Sequence, residues 1–174
     1  MYPKEYVEYL VQFHCTRDYF ECHEILEEYW KGKGNKHPLW EGLIQLAVGF
    51  YHYRRNNWNG AIKMICNCEA IFKKERHLIP TLGLNDEKFF NILEQAKKKI
   101  EQKIPYESIE LPIKDLKLLN TVKNICIQNQ LTWNRKSDLT NQYLIHKHKL
   151  RDRSEVIEAR NHAKRKKKRV EENK

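Results

Sequence analysis

Apolar residues recur along this chain at the three- and four-residue spacing that lines one face of a helix. Breaks in that rhythm mark about five helices before residue 115. Tyr6, Val7, Leu10, Val11 and Phe13 set the first, over about residues 3–14, with Pro3 in the first turn where its missing N–H costs nothing. Asp18 followed by Glu21 predicts an N-cap and capping box for a second helix, Tyr19–Trp30, which stops at Lys31-Gly32-Lys33-Gly34-Asn35. Pro38 opens a third, roughly 38–55, apolar nearly all round as a central helix should be. Asn57 caps a fourth that runs to about Leu78 and is closed by Pro80 and Gly83, and Asn85 caps a fifth over about 86–103. Residues 104–112 (IPYESIELP) hold two prolines in an apolar–polar alternation and predict an extended segment lying along the bundle.

The expected fold is therefore all-α: a compact bundle of about five helices with antiparallel helical hairpins over residues 1–115, followed by an extension over 116–174. Within the extension, helices are expected at about 116–129 and 137–149. A further one from Ser154 has almost no apolar face and reads as solvated or partly disordered until it finds a partner.

Charge divides the chain at the same place. Residues 1–115 carry 17 Lys and Arg against 17 Asp and Glu, whereas residues 116–174 carry 16 against 6, so the whole net charge of +10 belongs to the extension. Its densest stretch is Lys164, Arg165, Lys166, Lys167, Lys168 and Arg169, six cations in a row that suit a polyanion such as nucleic acid or the ribosome, or an acidic protein partner. Trp133 and Tyr143 add thinly spaced stacking groups. An anionic membrane surface fits less well, because no Leu, Phe or Trp interleaves those cations.

No apolar run approaches the roughly 18 residues a membrane span needs, and the start MYPKEYVEYL lacks the pattern of a secretory signal; a cytoplasmic location is expected. The five cysteines have no framework spacing and are expected as reduced, structural thiols. In Cys66-x-Cys68 the two thiols would lie about 200° apart around a helix, which opposes a shared metal.

Candidate chemistry concentrates on the second and third helices. On a helical wheel, His23 and Glu27 fall inside the apolar arc of Tyr19, Cys22, Ile25, Leu26, Tyr29 and Trp30, while Glu21, Glu24 and Glu28 fall opposite. A buried carboxylate needs a partner, and His23 is one turn away. The string differs from the zinc-protease HExxH by a Glu in place of the second His, which opposes a protease. The third helix has one polar stripe, Glu41, Gln45 and His52, which either faces water or meets His23 and Glu27. If His23, Glu27, Gln45 and His52 converge, the simplest reading is a hydrogen-bonded network that fixes helix register. The alternatives are a small-ligand or acid–base site, or a divalent metal held through His23 and Glu27.

The strings DYFECHEILEEYW and WEGLIQLAVGFYHYRRNNWNGA resemble the bacterial and archaeal family named domain of unknown function 309, over about residues 4–110. Its motif positions here are Phe20, His23, Glu24, Glu27, Trp30, Gly42, Gln45, Ala47, His52, Asn57, Gly60 and Ala61. The resemblance implies an all-helical bundle and no particular activity, and the extension lies outside it. A weaker likeness to a tetratricopeptide repeat, through Gly49, Ala61, Ile65 and Cys68, has no second copy; it implies close packing of the third and fourth helices rather than an array.

The sequence thus points first to a non-catalytic adaptor whose basic tail contacts a polyanion or partner, with no cofactor expected and the question of enzymatic activity left open, the balance leaning against it. An enzyme or ligand- or metal-binding protein built on His23, Glu27, Gln45 and His52, and a non-specific nucleic-acid binder, are the alternatives.

Overall fold

The computed structural model describes residues 1–32 and 36–151. Its elements in order are α1 (Lys4–Val11), a π-helical turn (Gln12–Thr16), α2 (Tyr19–Gly32), α3 (Pro38–Arg54), α4 (Trp58–Lys74), a 3-10 segment (Arg76–Leu82), α5 (Asp86–Glu101), α6 (Leu116–Gln128), and the short α7 (Gln142–Ile145) and α8 (Lys147–Leu150). The fold is all-α; among the described residues the only sheet-like pairing is an isolated bridge between Leu84 and Ile113. The basic run Lys164–Arg169 and the helix expected from Ser154 lie outside the described residues. No described helix is long and apolar enough to cross a membrane.

Local chemistry starts each helix. Asp18 accepts the Glu21 N–H at 3.0 Å, Asn57 that of Gly60 at 3.1 Å and Asn85 that of Lys88 at 2.9 Å, each filling part of a helix's unpaired first turn. Asp115, where the bundle was expected to end, caps α6 instead, accepting from Lys117 at 2.7 Å and Leu118 at 3.2 Å. The predicted fourth helix stops at Lys74 and continues as the 3-10 segment, which carries Pro80 and ends on Gly83 at φ 70°.

α3 is the central helix, packed between α2 and α4. The approach to α4 is close: a Cβ on Gly49 would sit 2.7 Å from Ile65 Cδ1, and one on Gly42 would sit 2.6 Å from Phe72 Cε2. Small residues at these points let the two helices meet backbone to side chain, as the repeat-like pattern implied.

Residues 116–151 fold onto the same body. Leu118, Val122 and Cys126 of α6 belong to the core formed by Tyr6, Tyr9, Leu10 and the inner face of α3. Cys126 is joined to Cys15 by a disulfide, which corrects the expectation of five reduced thiols; Cys22 and Cys68 are free and buried, and Cys66 is free and exposed. A pairing 111 residues apart leaves no trace in local spacing, so only the docking of α6 on α1 reveals it.

Two buried arginines hold the later segments in place. Arg17, 1% exposed, ends the π turn in the left-handed conformation at φ 59°. It donates to the carbonyls of Phe13 (2.9 Å), Ile109 (2.6 Å) and Arg135 (2.6 Å) and to Asn134 Oδ1 (2.6 Å). Arg54 at the end of α3 donates to the Arg17 carbonyl (2.6 Å), Ser137 Oγ (2.8 Å) and the Leu144 carbonyl (3.1 Å), with its guanidinium over the Tyr19 ring. Trp133, expected as a stacking group for a polyanion, stacks on the buried His14 with ring centroids 4.5 Å apart.

His14 is wholly buried and bonded at both nitrogens: Nδ1 to the Leu10 carbonyl at 2.9 Å, and Nε2 accepting the Leu111 N–H at 3.0 Å. That geometry fits the neutral ring, and burial lowers its pKa from 6.5 to about 4. Between those values the unfolded chain binds the proton and the folded chain does not, so stability present above pH 6.5 is lost as pH falls toward 4. The expected loss attributable to His14 is about 3 kcal/mol at 1.36 kcal/mol per pH unit. Urea unfolding of the wild type and His14→Gln at pH 7.5 and 4.5 checks this: the variant should show the smaller pH dependence.

Candidate functional site

The cleft that gathers the most chemistry lies beside α2 and α3, with the α8 segment contributing to its lining. It has a volume of about 370 Å³ and is lined by Tyr19, Phe20 and His23 of α2, by Val48, Tyr51 and His52 of α3, by Arg55 and Asn57 of the following turn, and by His148. Helical spacing explains the set. Tyr19, Phe20 and His23 span one turn of α2, and Val48, Tyr51 and His52 of α3 and its C-capping residue Arg55 recur at three- and four-residue steps. His148 arrives because Lys147 bonds Asp18 Oδ2 (2.6 Å) and Glu21 Oε2 (2.9 Å) while Arg151 bonds Glu24 Oε2 (3.2 Å). The guanidinium of Arg151 also lies 4.7 Å from the centre of the Phe20 ring.

Of the four residues expected to converge, His23 and His52 line this cleft, whereas Glu27 and Gln45 are not among its lining residues. His23 and Glu27 are part-exposed, with side chains 23% and 35% accessible, rather than directed into the core. α2 buries only Tyr19, Cys22 and Leu26, a narrower arc than the wheel implied. His23 Nδ1 lies 3.1 Å from Glu24 Oε1 and Nε2 lies 3.5 Å from Glu27 Oε2. His52 lines the cleft with His23, but its hydrogen bond is to Asn57, Nδ1 to Nδ2 at 3.0 Å. Gln45 Oε1 is buried without a hydrogen-bond partner among the described residues, as is the indole nitrogen of Trp30. Glu41 is exposed.

His23, Glu24 and Glu27 offer one atom each within 4.8 Å of one another, close enough to chelate a cation. Their carboxylates already face positive charge, Glu27 with Lys31 at 2.8 Å and Glu24 with Arg151. The Lys31 hydrogen bond, then the His23 interaction, hold Glu27 below the usual carboxylate range against the effect of burial. Each cation takes one carboxylate oxygen, and the other oxygen of Glu24 and of Glu27 faces His23.

His52 does not suit a metal through Nε2. A ligating histidine normally donates its other N–H to an acceptor. Here Asn57 Oδ1 is occupied by the Gly60 N–H, so the group facing His52 Nδ1 is the amide nitrogen, a donor. The neutral ring then carries its proton on Nε2. Burial, and then the Arg55 charge, lower the His52 pKa; His148 is lowered by burial and by the Arg55 charge as well.

A family model described as Domain of unknown function (DUF309) matches residues 6–64. The uncharacterized protein YpuF of Bacillus subtilis (strain 168) is 47% identical over 162 residues, covering 92% of this chain and 93% of that protein. The chain belongs to the DUF309 family. No solved structure matches it.

The DUF309 match runs from α1 into α4, so it contains the α2 and α3 walls of the cleft but not His148. Among the motif positions, Asn57 and Gly60 form one constellation with His52. A Cβ on Gly60 would meet Asn57 Nδ2 at 2.7 Å and His52 Cγ at 3.0 Å. Tyr51, Arg55 and His148 were not singled out in the sequence. Tyr51 and Arg55 carried a signal in their helical spacing from His52, whereas His148 had none before the extension was seen to fold back.

Replacing Asn57 by Ala removes both the α4 cap and the amide that favours neutral His52. The expected result is a loss of about 1 kcal/mol in stability together with a rise in the His52 pKa. Urea unfolding measures the first and an NMR titration of the His52 ring the second.

Proposed function

We propose that this protein is a binding module whose bundle takes a small ligand in the cleft beside α2 and α3, and whose basic tail contacts a polyanion. The observation that carries the first part is the convergence of His23, His52, Arg55 and His148 on one apolar-walled cleft of about 370 Å³. That size falls within the usual range for small-molecule sites, and a few polar groups among aromatic walls are their usual lining. Binding is favoured over catalysis by the same lining: among the described residues it holds no carboxylate, serine, threonine or thiol to act as nucleophile or carboxylate base.

The second part rests on charge. All of the net +10 lies in residues 116–174. Lys147 and Arg151 are already engaged with acidic groups of the bundle, so contact with nucleic acid, the ribosome or an acidic protein falls chiefly to the cations beyond them, Lys164–Arg169 above all.

A fragment screen by NMR on the full chain, repeated on Val48→Trp, tests the cleft. Hits should shift Phe20, Val48, Tyr51 and His52 and weaken at least tenfold in the variant; an absence of such hits, or hits indifferent to Val48→Trp, would contradict the reading. A chain ending at Arg151 should keep those hits and lose salt-dependent affinity for a single-stranded RNA probe. Equal RNA affinity in both chains would remove the tail from the account.

A further inference from the structure

The hydrogen-bonding groups that the cleft offers are one-sided. Because Asn57 presents its amide nitrogen to His52 Nδ1, that nitrogen accepts and the His52 proton sits on Nε2. His148 is arranged in a similar way by Tyr51. The Tyr51 hydroxyl accepts the His148 backbone N–H at 3.2 Å, and His148 Nδ1, 2.7 Å away, is the acceptor available for the hydroxyl's own proton. The His148 ring proton therefore also belongs on Nε2.

Arg55 uses Nε on His146 Nδ1 at 3.3 Å and places its guanidinium 5.2 Å from the centre of the Tyr51 ring, which leaves both terminal amines. The hydroxyl of Tyr19 is taken by Tyr106, and both ends of the Asn57 amide are occupied. His23 is taken by the carboxylates of Glu24 and Glu27, which are not part of the cleft lining. Among the described residues, neither the Nε2–H of His52 or His148 nor the terminal amines of Arg55 has a hydrogen-bond partner, and no carboxylate lines the cleft. Three donors without an acceptor to match them are suited to a group that only accepts.

We propose that the cleft selects a ligand bearing an oxyanion, a carboxylate or a phosphate, on a planar apolar body. His52 and His148 donate through Nε2–H and Arg55 donates through its terminal amines while supplying the positive charge. The planar body lies against Phe20 and Val48, where aromatic and aliphatic surface replaces water. The neutral state of both imidazoles, favoured by burial and by Arg55, leaves Arg55 as the charge that attracts the anion. The inference rests on the reading of the cleft as a ligand site, and the test separates the two.

The full chain is titrated at fixed ionic strength with phenyl phosphate, benzoate, benzamide and benzamidine, and binding at the cleft is followed through the resonances of Phe20, Val48 and Tyr51. The two anions should bind there at least tenfold more tightly than the neutral and cationic probes. The difference between phenyl phosphate and benzoate identifies the preferred oxyanion. Arg55→Gln should weaken the anions at least tenfold and benzamide far less, because only the anions lose a charge pairing with it, and His148→Gln, from a separate part of the chain, should weaken the anions in the same direction. Benzamide or benzamidine binding at the cleft as tightly as the anions would overturn oxyanion selection while keeping the ligand site. Shifts in none of the cleft resonances with any probe would overturn the ligand site itself.

Discussion

A guanidinium with no carboxylate partner among the described residues sits at the centre of this fold. Arg17 is buried, yet among the described residues each of its hydrogen bonds ends on a carbonyl or an amide oxygen: Phe13 within its own turn, Ile109 in the extended segment, and Asn134 and Arg135 beyond α6. Removing a cation from water is costly unless its donors are matched, and here three separate parts of the chain supply the acceptors. Arg54 repeats the device one layer out. It bonds the Arg17 carbonyl and reaches Ser137 and Leu144. The extension is thereby tied to the bundle by backbone acceptors as well as by the apolar face of α6 and the Cys15–Cys126 disulfide.

The cleft follows from that attachment. With Leu144 held by Arg54, the chain turns through α7 into α8, and Lys147 and Arg151 fall on Asp18, Glu21 and Glu24. His148 then lies against Tyr51 and completes a lining that α2 and α3 alone leave open. Acidic groups on α2 therefore serve to position part of the basic extension. The histidines and Arg55 of the cleft have hydrogen-bonding capacity left over, which is why ligand binding is assigned there rather than to the acidic face.

Much of the bundle was legible in the sequence because its signals are local. The helical periodicity, Pro38, and the caps Asp18, Asn57 and Asn85 each act within one turn of chain. The close approach of α3 and α4 was legible through Gly49 and Ala61 for the same reason. The candidate site was legible only in part. A wheel places His23 and Glu27 on an arc but cannot say how much of that arc a neighbour covers, and α2 is covered over less of it than its apolar residues suggest. Glu21 and Glu24 read as solvent-facing because their partners lie more than a hundred residues away. Arg17 and Arg54 were missed because backbone carbonyls are their main acceptors, and carbonyls have no identity in a sequence.

The central claim is that Arg17 joins bundle and extension into one folded body. The most direct measurement is urea unfolding of Arg17→Met beside the wild type. A methionine of similar length leaves the acceptors on Phe13, Ile109, Asn134 and Arg135 without their donors. The account predicts a loss of about 3–5 kcal/mol, or the disappearance of a single cooperative transition. A loss below about 1 kcal/mol, the scale of one ordinary hydrogen bond, with cooperativity intact would contradict it.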